Sequence, residues 1–75
     1  MMLTSLKKNE QGYIEKIDGG EELKQRLSLR GIIKGARLKV INSRCGPVIV
    51  DINGSVLALG RGMAGKIIVE RCSDD

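Results

Sequence analysis

Along most of the chain, apolar and polar residues alternate with the period of a half-buried strand. At one place the period lengthens to that of a helix. In Leu23-Lys24-Gln25-Arg26-Leu27-Ser28-Leu29, the two leucines at 23 and 27 stand four residues apart among charged and polar neighbours, which puts an apolar stripe on one helix face. Glu21 and Glu22 fall in the first turn, where the positive end of the helix dipole favours carboxylates, and Glu22 stands four residues before Arg26. Gly31 suits a left-handed stop, so a helix over residues 21–29 is predicted. Gly19-Gly20 ahead of it gives the backbone the unusual angles with which a strand can swing into that helix.

The strand signals surround this helix. Over residues 36–43, Leu38 and Val40 point one way and Arg37, Lys39 and Ile41 the other; over 48–52, Val48, Val50 and Ile52 share a face. Arg44-Cys45-Gly46-Pro47 makes the turn between these two strands. Asn53-Gly54 favours a type I′ turn, which pairs the second with a strand over 55–59. A glycine-rich stretch, 60–65, is expected to form one helical turn before a last strand over 66–70. The first strand opens at Gly12 and alternates poorly: Ile14 and Ile17 would lie on opposite faces, which predicts a bulge or an early exit from the sheet. Residues 1–9 read as a lead-in whose Leu3 and Leu6 cover one end of the core while Lys7 and Lys8 stay in water, and residues 72–75 are expected to fray. The sum is a mainly β fold in a single domain, 1–75. It is a small SH3-like barrel of about five strands, with one short helix inserted after the first strand and a helical turn before the last. An oligonucleotide-binding-type barrel is the alternative architecture. With 41% hydrophobic residues, one Tyr and no Phe or Trp, the core must be lean and packed through β-branched side chains.

Composition narrows function mainly by exclusion. A net charge of +4 fits an acidic partner surface, a nucleic acid or simple solubility. Cys45 and Cys72 are isolated, the first ten residues lack the apolar run of a signal peptide, and no stretch nears the roughly 20 apolar residues of a membrane span. A cytoplasmic protein with reduced thiols is expected. Gly60-Arg61-Gly62-Met63-Ala64-Gly65 matches the dinucleotide-binding spelling, but a strand follows it and the downstream acidic residue has no room, so a glycine turn is the reading. There is no His, the cysteines have no neighbouring ligand, and no nucleophile stands beside a base; neither metal, cofactor nor enzymatic activity is predicted. Arg26, Arg30, Lys34, Arg37 and Lys39 could form a basic stripe suited to single-stranded nucleic acid, yet Tyr13 is the single aromatic where such sites stack several.

At Arg26-Leu27-x-x-x-Gly31-Ile32-x-x-Gly35, then Pro47-Val48-Ile49, Gly54 and Leu57-Ala58-Leu59-Gly60-Arg61-x-x-Ala64-x-x-Ile67-x-Val69, the chain resembles the ferrous-iron-transport A (FeoA) family. These are small cytosolic SH3-like proteins. The same barrel occurs at the C-terminus of metal-dependent repressors similar to the diphtheria-toxin repressor, a reading that calls for a preceding DNA-binding domain not expected here. Arg30 stands where the family commonly has an apolar residue and Lys34 where it often has proline, so the turn is more basic here. The resemblance implies an accessory of ferrous-iron uptake that modulates a membrane permease bearing a cytosolic G-protein-like GTPase domain (FeoB-type). The helix and following turn are expected to dock on it through Leu23, Arg26, Arg30 and Lys34, with Arg61 and Met63 in second place. The plainer expectation for Leu23, Leu27 and Met63 is core, since apolar helix residues at this spacing usually face inward. A single-stranded nucleic-acid binder is the alternative function.

Overall fold

The computed structural model describes residues 1–72; of the stretch expected to fray, residues 73–75 lie outside them. Leu3 and Leu6 flank a 3₁₀ turn, Leu3–Ser5, and are fully buried. Seven elements follow: β1 (Gln11–Ile17), α1 (Glu21–Ser28), β2 (Arg37–Asn42), β3 (Val48–Ile52), β4 (Ser55–Leu59), α2 (Arg61–Ala64) and β5 (Ile67–Arg71). The strands form one antiparallel sheet in the order β4-β3-β2-β1-β5.

Alternation does in space what it promised. Leu38 and Val40 of β2 and Val48, Val50 and Ile52 of β3 face the core, which Ile14, Leu59, Ile67 and Val69 complete from the other strands. Leu27 of α1 and Ala64 of α2 close the ends. No polar or charged side chain is buried among the described residues, so burial of apolar surface is the dominant stabilising term. The awkward spacing of Ile14 and Ile17 is resolved by a bulge between Ile14 and Lys16 against β5. A second register shift, between Val40 and Asn42 against β3, had no sequence forewarning.

One expectation is corrected. The Gly19-Gly20 pair does not use left-handed angles: Gly20 is extended at φ −74° and ψ 173°, and neither residue has positive φ. What Gly19 supplies is space, because a Cβ there would lie 2.7 Å from Leu23 Cδ2. In the sheet β4 and β5 stand at the two edges. The β5 edge is covered by the N-terminus. Met1 donates its ammonium to the Val69 carbonyl at 3.1 Å and accepts the Val69 N–H at 2.7 Å, and Met2 bridges Ile68. Among the described residues no helix is long and apolar enough to cross a membrane.

Candidate docking surface

The way α1 ends creates the most distinctive surface on the molecule. Leu27 is buried and Leu23 is half-buried against the core, so the helix is fixed by one stripe and leaves two flanks in solvent. The Ile32 N–H reaches back to the Leu27 carbonyl at 3.0 Å, and Gly31 at φ +83° makes the reversal that lets it. Ile32 then inserts completely into the core while its neighbour Ile33 stays 51% exposed, and Leu29 at the helix end is 88% exposed. The next turn uses Gly35 at φ +89°, and its N–H bonds the Ile14 carbonyl at 2.7 Å. Residues 31–35 are thereby held against the C-terminal half of β1.

Between that turn, the end of β1 and one flank of α1 runs an open groove of about 460 Å³. Its apolar surface comes from Ile17 and Ile33, over the buried Ile32, and its charged lining is Lys16, Lys24 and Lys34 with one carboxylate, Glu21. Lys24 lies 3.9 Å from Glu21 in an exposed pair, worth little in water. Lys16 and Lys34 form no ion pair among the described residues.

The six residues singled out in the sequence are dispersed. Lys34 lines the groove. Arg26, two residues on from Lys24 and so on the opposite flank of α1, lies 3.9 Å from Glu22 in solvent. Arg30 is exposed beyond the helix end. Leu23 and Met63 are half-buried and pack on the core, while the Arg61 guanidinium donates to the Ser43 carbonyl, tying α2 to the loop between β2 and β3. Missed in the sequence were Lys16, Ile17, Lys24 and Ile33. A signal existed for Ile33: of two adjacent isoleucines in a tight turn, only one can face inward.

Other chemistry finds little support. The Arg37 guanidinium sits 5.8 Å from the Tyr13 ring centroid, and its Nε donates to Gln11 Oε1 at 3.0 Å; Tyr13 stays 42% exposed, but it is a single aromatic where single-strand sites stack several. Cys45 is exposed and Cys72 half-buried, both free. Among the described residues no three Cys, Asp or Glu side chains converge as metal ligands. The glycine-rich stretch forms α2, a single four-residue turn.

A five-stranded antiparallel barrel with two short helices, and with no metal-ligand cluster among its described residues, is the class these features define. The FeoA domain family matches residues 1–71. The protein named "Putative Fe(2+) transport protein A" of Methanocaldococcus jannaschii is 47% identical over 68 residues, 91% of this chain and 83% of that one. The crystal structure of an iron uptake regulatory protein (FeoA) superposes with a TM-score of 0.89 at 30% identity, covering 96% of each chain. The zinc complex of Stenotrophomonas maltophilia FeoA, described as a procaryotic SH3 domain protein, gives 0.80 at 19% identity over 93% of this chain and 89% of that one. This last likeness is one of fold, and it makes the barrel SH3-like. The chain belongs to the FeoA family, which is implicated in ferrous-iron transport.

Proposed function

We propose that the chain is a cytoplasmic, non-catalytic accessory of ferrous-iron uptake that docks on the cytosolic G-protein-like part of a membrane ferrous-iron permease (FeoB-type) and modulates it. Family membership supports the transport setting. The observation that carries the docking role is the end of α1, where Leu29 and Ile33 are exposed at 88% and 51% beside the exposed cations Arg30 and Lys34. Exposed apolar residues rimmed by charge mark recognition surfaces. Leu23 and Met63 contribute from beneath, by fixing the helices on the core, and Arg61 by tying α2 to its neighbouring loop.

The test is capture of the detergent-solubilised permease on immobilised protein. Wild-type chain retains it; an Arg26→Glu, Arg30→Glu variant retains several-fold less while staying folded, its thermal transition lowered by only a few degrees because both side chains are exposed and the Glu22 pair it loses is solvated. Equal retention by the variant removes this flank from the interface, and no retention by the wild type removes the docking role.

A further inference from the structure

The groove beside α1 has its own chemistry, and it lies on the flank away from Arg26. Its exposed aliphatic surface is Ile17 and Ile33, and its charged lining is three lysines and one carboxylate, Glu21; Lys24 lies 3.9 Å from Glu21, while Lys16 and Lys34 form no ion pair among the described residues. An aliphatic base takes aliphatic side chains; unpaired ammonium groups beside it favour carboxylates and reject other cations. Resting on the docking role proposed above, we propose that this groove receives an acidic amphipathic peptide segment of the permease, seating an apolar side chain over Ile17 and Ile33 and flanking carboxylates on Lys16 and Lys34.

Charge complementarity selects this occupant over others. A nucleic acid would find cations but no aromatic ring in the groove, since Tyr13 is absent from its lining. A lipid surface is flat, whereas the site is an open groove with a volume of about 460 Å³. A second copy of this chain would bring its own excess of positive charge, +4 overall.

Three probes test the assignment on the full chain. The first is a short synthetic peptide with two leucines flanked by glutamates, titrated into isotope-labelled protein. Amide shifts are expected at Lys16, Ile17, Ser28 and Ile33, weakening as salt rises, and the all-glutamine version should produce none. The second is the solubilised permease: a Lys16→Glu, Lys34→Glu variant, with unchanged thermal transition, should retain it roughly ten-fold more weakly, as two attractions become two repulsions. The third is cosedimentation with phosphatidylglycerol vesicles, where no binding is expected. Shifts elsewhere, equal binding of the glutamine peptide, or permease retention indifferent to Lys16 and Lys34 overturns the groove assignment while leaving the docking role standing. Vesicle binding lost on reversing these lysines overturns it in favour of a lipid surface. A peptide response in the groove without any permease capture supports the chemistry of the groove and removes the permease as its source.

Discussion

At Gly12 the first strand has no room for a side chain against the last. A Cβ there would lie 2.9 Å from the Glu70 carbonyl oxygen and 3.3 Å from Leu6 Cδ1, and the first of these is backbone that cannot rotate away. At Gly19 the obstruction is only a leucine methyl, Leu23 Cδ2 at 2.7 Å, which another rotamer can relieve. Equal losses of a glycine therefore have unequal consequences. Gly12→Ala should lower stability by about 1–3 kcal/mol, the range for overpacking a tight site, and Gly19→Ala by less than about 1 kcal/mol. Against a total of roughly 4–11 kcal/mol for a chain this size, the first loss moves a urea midpoint visibly and the second barely. Comparable midpoints for the two would show that β1 and β5 can part at Gly12 without strain. The same contrast governs the candidate site: Leu23 seats α1 on the core, so a side chain at 19 would disturb one wall of the groove more than the sheet.

At the level of elements, the β3-β4 hairpin shows how much local chemistry decides. Asn53 and Gly54 both take positive φ, 53° and 84°, as a type I′ turn requires, and the Asp51 carboxylate accepts the Gly54 N–H at 3.0 Å. Gly54→Ala meets no neighbouring atom yet must adopt a backbone conformation unfavourable for an L-residue, at a cost of about 1 kcal/mol. The expected sign is a thermal midpoint lower by roughly 4–8 °C, with hydrogen exchange accelerated more in β3 and β4 than in the other strands. Acceleration spread evenly over the whole sheet would mean that the turn nucleates more than its own hairpin. This hairpin, the core faces of β2 and β3 and the extent of α1 were legible because period, turn residues and caps act within a few positions of one another. The edges of the sheet were not. Covering β5 with Met1 and Met2 joins residues at opposite ends of the chain, and no local pattern encodes it. The groove was illegible for a related reason. Its parts come from the end of β1, one flank of α1 and the turn after it, and the bulge between Ile14 and Lys16 sets the course of that end of β1. Family likeness pointed to the helix and turn but not to which flank, and only Lys34 of the residues it suggested lines the groove.

For the molecule as a whole, the question is whether the residues that fold it and those that recognise a partner can be separated. In a chain of 75 residues the core leaves little spare apolar surface, and most aliphatic side chains are committed inward. Exposed Ile33 is then an uncommitted aliphatic group next to a committed one, Ile32, at 51% and 0% exposure. If the barrel is a rigid platform, adjacent substitutions should split cleanly by readout. Ile32→Val removes one buried methyl group and should cost about 0.5–1.5 kcal/mol, lowering the thermal midpoint by several degrees, while permease capture below that midpoint is retained. Ile33→Ser removes half-exposed surface, should stay within about 0.5 kcal/mol of wild type, and should weaken capture several-fold. The result that breaks this division is a parallel fall of stability and capture in both variants. Recognition would then depend on how tightly the turn is packed and not on what it displays, and the barrel would act as a deformable element rather than a fixed surface.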